Sequence, residues 1–277
     1  MASLQELRKR LRSIRSTGQL ADAMRTAATA KHARLSQMRS EFRPYAEACR
    51  GMQSLLGSAG VARPETGVEP RDCVMILSGN RGLCGGFNAE LFRFMDERLP
   101  ELRSPLLLAA GKKAAAHLRE RGAAFEEFTI SDVPTYEELR PLTERALALY
   151  ASGEAGRVLM ICQRFRNMLV QTPELVRLLP ETEEDGSPLG GNLMLYLPDR
   201  ETISAQLAVK CLGARVYELA LENACGAQAA TMMAMRSACD NAETSADELE
   251  LTINRRRQAD VTSGVIETAS GNQQQGG

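Results

Sequence analysis

The residues with the most obvious chemical potential lie in one glycine-rich run, Ser78-Gly-Asn-Arg-Gly-Leu-Cys-Gly-Gly-Phe-Asn88. It falls between an apolar run that predicts a strand and a periodic run that predicts a helix, where backbone N–H groups and a helix N-terminus cradle phosphates. Two features disfavour that chemistry. No Gly-Lys-Ser/Thr follows to supply a phosphate lysine and a magnesium hydroxyl, and the glycine spacing is not G-x-G-x-x-G. A tight structural turn fits better, because glycines also serve where backbone must bend sharply. A small α/β phosphate-binding enzyme using the Gly82–Gly86 loop is the alternative. Cys84, in the same run, is a candidate nucleophile if Arg81 lowers its pKa, but no histidine lies near it in sequence to act as base. The two histidines, His32 and His117, fall on expected helices. The seven cysteines, Cys49, Cys73, Cys84, Cys162, Cys211, Cys225 and Cys239, form no C-x-x-C pair, so neither a zinc site nor a cofactor is expected. Their odd number and the lack of a visible signal peptide suit reduced thiols in a cytosol-facing compartment.

The net charge of −1 conceals a segregation: residues 1–50 carry 11 Lys/Arg against 4 Asp/Glu, residues 51–198 carry 16 against 20, and residues 199–277 carry 7 against 11. The basic N-terminus therefore faces an acidic partner, inside the chain or outside it. Arg8-Lys9-Arg10, Arg12 and Arg15 flank an apolar seam, and no aromatic interleaves them before Phe42, which disfavours nucleic acid. A solvated helix face and an acidic protein partner both remain. Arg255-Arg-Arg-Gln258 sits late in a helical pattern, where cations complement the helix dipole; contact with an acidic or polar loop of a surrounding protein suits it equally. No apolar run approaches the ~18 residues of a membrane span, so any membrane association must pass through a partner. Aromatics make up 4% and Trp is absent, which suits helix packing by Ala and Leu better than an aromatic-lined ligand site.

The elements that must position these residues follow from periodicity. Ser3-Leu-Gln-Glu6 fits a capping box, and from it Leu4, Leu7, Leu11, Ile14, Gly18, Ala21, Met24, Ala28, Leu35, Met38, Phe42 and Tyr45 recur at helical steps, predicting a helix over residues 1–56 with Pro44 as its one possible kink. A Gly- and Pro-rich linker spans 57–71. Over 72–200 apolar runs alternate with helical patterns: Cys73–Leu77, helix Asn88–Leu99, Leu106–Ala110, helix Lys112–Arg121, Phe125–Ile130, helix Tyr136–Tyr150, and Arg157–Cys162. That rhythm predicts a Rossmann-like α/β domain with a mainly parallel sheet. Leu175–Leu179 and Leu193–Leu197 flank an acidic loop, Glu181–Asn192, as edge or hairpin strands. Residues 201–270 contain no proline and three glycines and predict one very long helix, with 271–277 a disordered tail. Along that helix Ala220, Ala224, Ala227, Thr231, Ala234, Ala238, Ala242 and Ser245 form a stripe of small side chains matching the small middle of the N-terminal helix. An antiparallel coiled coil of the two chain ends is expected. About 70 residues at ~1.5 Å each span ~105 Å, whereas a domain of ~140 residues is only ~35 to 40 Å across. Something outside the chain must therefore enclose the rod.

Three separated segments bear a family resemblance. They are Met1-Ala-Ser-Leu with Ile14-Arg-Ser-Thr, Ala23-Met24 and Ala28-Thr-Ala-Lys31; Asn80-Arg-Gly-Leu-Cys-Gly-Gly-Phe-Asn-Ala-Glu-Leu-Phe92; and Met235-Arg-Ser-Ala-Cys-Asp-Asn-Ala242 with Leu249-x-Leu-Thr-x-Asn254-Arg-x-Arg257-Gln258. Their types, order and separations closely resemble the γ subunit of F-type ATP synthase. The resemblance implies a non-catalytic central stalk of a rotary motor. In that family the terminal helices thread a hexamer of three α and three β subunits, while the α/β foot sits with the ε subunit and the membrane c-ring. Ion flow turns the shaft, which drives ATP synthesis at the hexamer. A peripheral position on the cytoplasmic face of a bacterial plasma membrane is implied, with the membrane reached only through partners.

By the same resemblance, Met24 faces an acidic lever loop of the β subunit, and Arg257 and Gln258 meet hexamer loops higher on the shaft. Arg81, Gly82, Leu83, Cys84, Gly85 and Gly86 form the foot-domain turn, and Tyr217 lies in the lower shaft near the ring and ε. Departures from the family pattern fall at three places. Thr231 replaces a frequent arginine, which would weaken or reroute electrostatic coupling near Met24. Cys211-Leu-Gly-Ala-Arg-Val-Tyr217 replaces a bulkier acidic run, with Gly213 expected to loosen the helix by about 1 kcal/mol relative to Ala. In Val261-Thr-Ser-Gly-Val265, Gly264 is a candidate early end of the helix. No cysteine-bearing insertion of the chloroplast kind is visible.

Overall fold

The structure is a computed structural model that describes residues 3–56, 69–180 and 199–273. In chain order it contains α1 (Leu4–Leu56), β1 (Arg71–Leu77), α2 (Phe87–Arg98), a 3-10 turn (Leu99–Glu101), β2 (Leu106–Ala110), α3 (Lys112–Glu120), β3 (Phe125–Phe128), α4 (Tyr136–Ala151), β4 (Ala155–Phe165), β5 (Gln171–Leu179) and α5 (Arg200–Gln273). Residues 57–68 of the expected linker, the Glu181–Asn192 loop and the Leu193–Leu197 run lie outside the described residues, as do 274–277. Two compact units emerge, Ala28–Thr231 and Met1–Ala27 with Met232–Gly277.

In the larger unit the sheet runs β3-β2-β1-β4-β5. All neighbours are parallel except β4 and β5, which form an antiparallel hairpin. β1 is central and buried on both faces, which explains its unbroken apolar run. Alternation then divides its side chains. Cys73, Met75 and Leu77 join a core with α1, α4 and α5 residues such as Leu35, Leu142 and Leu221. Val74 and Ile76 join Leu91, Met95 and Leu118 of α2 and α3 on the other face. At the head of β1 the buried Asp72 accepts from both Arg157 Nε (2.8 Å) and Nη2 (2.6 Å) and from the Arg103 N–H (2.9 Å). Burial works to raise its carboxyl, but these donors outweigh it and hold the pKa below the ordinary range.

Within this unit α1 and α5 run antiparallel. Arg39 pairs with Glu222, Phe42 meets Tyr217 edge-on at 4.7 Å, and Cys211 Sγ donates to the Cys49 carbonyl. The α/β domain approaches α5 closely at two glycines. A Cβ at Gly213 would overlap the Tyr136 hydroxyl, and one at Gly226 would press on Phe87 Cε2 (3.1 Å) and Gln171 Cγ (3.2 Å). The expectation that Gly213 loosens the helix is thereby corrected. Its missing side chain is the space that Tyr136 fills, and tertiary packing overrides the local propensity penalty. Pro44 leaves α1 unbroken.

In the smaller unit the two helices are again antiparallel. Gly18 faces Ala242, with only 3.2 Å from its would-be Cβ to the alanine methyl, while Arg15 pairs with Glu250 further along. The Ser3 capping box is present: Glu6 N donates to Ser3 Oγ (3.2 Å) and Ser3 N to Glu6 Oε2 (2.7 Å). On α5 the buried line is Met235, Ala246 and Ile253, with Cys239, Ala242 and Leu249 half-buried between them. These positions alternate steps of three and four, the heptad spacing of a coiled-coil seam. The expected stripe through Ala234 and Ala238 lies on its shoulder, half-buried, and Ser245 is exposed. Small residues on adjacent lines left the register ambiguous by one position, a rotation of about 100°. Ala220 and Ala224 are buried, while Ala227 and Thr231 are half-buried, in the larger unit. On α1 the seam takes buried Ala46, leaving Tyr45 45% exposed.

Replacing Gly213 with Ala is expected to destabilise the chain by about 1–3 kcal/mol through overpacking. Tyr136→Phe in the same background should recover part of that loss, as read by urea unfolding. A neutral or stabilising Gly213→Ala would mean that the glycine serves no packing purpose.

Candidate functional site

The glycine-rich run forms the turn between β1 and α2, and its own polar groups close it. Asn88 is the hub: Oδ1 accepts from the Gly79 N–H (3.1 Å), and Nδ2 donates to the Arg81 carbonyl (3.3 Å) and to Cys84 Sγ (3.1 Å). Asn80 ties the loop outward, donating to the Ile130 carbonyl (2.8 Å) and accepting from the Lys112 N–H (3.1 Å). Gln163 of β4 donates to the Phe87 carbonyl (2.8 Å). Gly85 has φ +57°, a left-handed conformation that glycine adopts without a Cβ clash. Leu83 also has positive φ (62°) and is 62% exposed, a backbone cost of about 1–2 kcal/mol. A Cβ on Gly86 would lie 3.1 Å from Glu90 Oε1, so a carboxylate already stands at the α2 N-terminus where a phosphate would bind. This arrangement is a structural turn, and the phosphate-binding alternative finds no support in its geometry.

Cys84 is 6% exposed and accepts from Asn88. Cys73 and Cys162 are unsuited to attack, because burial pushes both up to about 12. His117 stacks on Phe92 at 4.4 Å and lies 3.3 Å from Asp96, away from the loop.

Sequence reasoning missed the carboxylate that anchors the loop. Asp132, in the segment after β3, takes Lys31 Nζ of α1 at 2.5 Å and Arg81 Nε at 3.3 Å, with Asn80 Nδ2 at 3.4 Å. Burial works to raise its carboxyl, but Lys31, Arg81 and Asn80 prevail and hold it below the usual range. A lone acidic residue in a loop 101 positions from its lysine gives no sequence signal. Both Lys31 and Arg81 do lie in the quoted family segments.

The remaining expected residues fall as follows. Tyr217 is buried, edge-on to Phe42 at 4.7 Å and to Tyr136 at 5.7 Å. Thr231 donates its hydroxyl to the Ala227 carbonyl of its own helix at 2.8 Å. In the smaller unit Met24 is half-buried and Arg257 and Gln258 are exposed. Because α5 continues through Gly264 to Gln273, Gly264 does not end the helix, and Arg255–Arg257 are not in its last turn. The helix dipole acts only within the terminal turn, which removes it as the reason for these cations.

Two long terminal helices paired antiparallel, with a mostly parallel five-stranded α/β domain between them in sequence, define a fold shared with ATP synthase stalk chains. A chain in the mitochondrial ATP synthase of Euglena gracilis, solved as OSCP/F1/c-ring in rotational state 3, matches with a TM-score of 0.71 at 17% identity, covering 98% of this chain and 93% of that one. One in the central stalk and c-ring of the Tetrahymena thermophila mitochondrial enzyme matches with a TM-score of 0.60 at 16% identity, covering 79% and 99%. A sequence model of the family described as ATP synthase matches residues 3–273. The ATP synthase gamma chain of Rubrobacter xylanophilus is 32% identical over 286 residues, 98% of each chain. That of Pasteurella multocida is 30% identical over 285 residues, covering 98% of this chain and 99% of the relative. The chain belongs to the ATP synthase gamma-chain family.

The depressed Asp132 carboxyl has a definite pH signature. Its stabilisation is complete above the ordinary carboxylate pKa of about 4 and is lost as pH falls through the lower folded value. Urea unfolding from pH 7 down to 3 should therefore show stability falling below about pH 4, with a smaller fall in Asp132→Asn. An identical acid slope in the variant would contradict this assignment.

Proposed function

We propose that the chain is the rotating central stalk that couples ion flow through a membrane ring to ATP synthesis in a hexamer of three α and three β subunits, and that it performs no chemistry itself. The observation that carries this reading is α5. It is an uninterrupted 74-residue helix that, from Met232 on, keeps one buried line, Met235, Ala246 and Ile253, and leaves Arg257 and Gln258 exposed well before its end. A helix with one buried line and an exposed cationic flank is suited to turning inside a surrounding protein. Arg257 and Gln258 would make polar contacts with hexamer loops, and Met24 would present a flexible apolar side chain to the β lever loop. The Arg81–Gly86 turn holds the foot together. Tyr217, being buried, acts in the lower shaft near the ring and ε by packing rather than by touching either. Among the described residues no helix is long and apolar enough to cross a membrane, which fits a peripheral subunit reaching the cytoplasmic face of a bacterial plasma membrane through its partners.

Two measurements test the reading. The purified chain should bind neither ATP nor ADP in titration calorimetry; stoichiometric binding would sink it. Arg257→Ala with Gln258→Ala should lower coupled ATP synthesis or assembly while leaving the thermal transition of the α/β domain in place. Unchanged coupling would remove these two residues from the mechanism.

A further inference from the structure

Three side chains of α1, all between residues 31 and 39, grip the α/β domain. Lys31 Nζ binds Asp132 (2.5 Å), while Arg39 Nη2 lies 3.5 Å from Glu222 of α5, itself bound to the domain through Arg164. His32 and Arg39 are one heptad apart and therefore share a helix face. They flank Phe165, the last residue of β4: the imidazole centroid is 5.6 Å from the phenyl centroid and the guanidinium carbon 5.8 Å. Neighbouring Arg164 completes the group by binding Glu222 (2.6 Å), a carboxylate only 8% exposed. Each carboxylate thus receives one cation from α1 and one from the domain, Arg81 at Asp132 and Arg164 at Glu222.

The distinction between this cluster and the apolar seam is directional. Apolar contact is non-directional, so it resists separation of two helices and any turn large enough to expose the seam, but opposes small turns of one helix about its own axis weakly. Charge-assisted hydrogen bonds have defined donor and acceptor directions. An aromatic ring wedged between residues seven apart sets both height and rotation. We propose that this clasp is the device through which torque delivered at the α/β domain enters α1, with Lys31 and Arg39 as positioning residues that hold the helix against axial turning. The proposal rests on the reading of the chain as a rotating stalk.

The test uses the complete ATP synthase reconstituted in vesicles, with ion transport per ATP hydrolysed as the readout. Lys31→Met with Arg39→Met removes both helix cations but keeps apolar stems. Asp132 keeps Arg81 and Asn80, and Glu222 keeps Arg164, so neither carboxylate is stranded. The complex should still assemble and hydrolyse ATP, while transport per ATP falls several-fold; Lys31→Arg with Arg39→Lys should recover most of it. A purely structural role would move the thermal transition and leave that ratio alone. The clasp is refuted if the ratio is unchanged in the methionine pair or is as low in the conservative pair. Should the methionine pair fail to assemble, Phe165→Leu, which leaves every charge in place, is read the same way: a lowered ratio supports the clasp and an unchanged one overturns it. Failure of the stalk reading is distinguishable, because the complex with the unaltered chain would then show no ATP-driven transport.

Discussion

The backbone of α5 lies so close to the α/β domain at Gly213 and Gly226 that a methyl group would collide with Tyr136 or press on Phe87 and Gln171. Much of the larger unit depends on that approach. It brings Asn223 to the Gln163 N–H (3.0 Å) and Glu222 to Arg164 (2.6 Å), joining α5 to the sheet by bonds from buried side chains. It also sets the height at which α1 pairs with α5, and so decides that Lys31 and Arg39 meet Asp132 and Glu222. Unpaired, carboxylates at such partly or wholly buried positions would be costly. With two cations each they become directional anchors.

The glycine-rich turn shows how similar sequence can serve opposite ends. A phosphate loop leaves its N–H groups pointing at open space beside a helix N-terminus. Here Asn88 turns back into the loop and Glu90 stands by Gly86 at the start of α2, so the turn is filled by its own side chains. Through Arg81 and Asn80 it connects instead to Asp132 and from there to α1. Its chemistry is structural.

Much of this architecture was legible because periodicity and local chemistry act over short distances. The alternating strands and helices, the Ser3 capping box and the antiparallel pairing of the chain ends all follow from spacing alone. The illegible features depend on contacts between distant segments. Gly213 read as a weakness until Tyr136 was seen to occupy its place. Small residues on two adjacent lines of α5 concealed whether Ala234 or Met235 faces α1. The Arg255–Arg257 cluster resembled a dipole cap because Gly264 was a candidate early end of the helix, yet α5 continues to Gln273. Lys31, Asp132, Arg39 and Glu222 carry no local pattern, so only the folded chain joins them.

The most direct measurement of the central claim is the native mass of the complex recovered when this chain, tagged, is expressed with its cognate α and β subunits. The account predicts one copy of the chain for every three α and three β, in a particle that hydrolyses ATP. Recovery of the chain alone, or of an assembly with equal numbers of all three subunits, would contradict a single shaft enclosed by a hexamer.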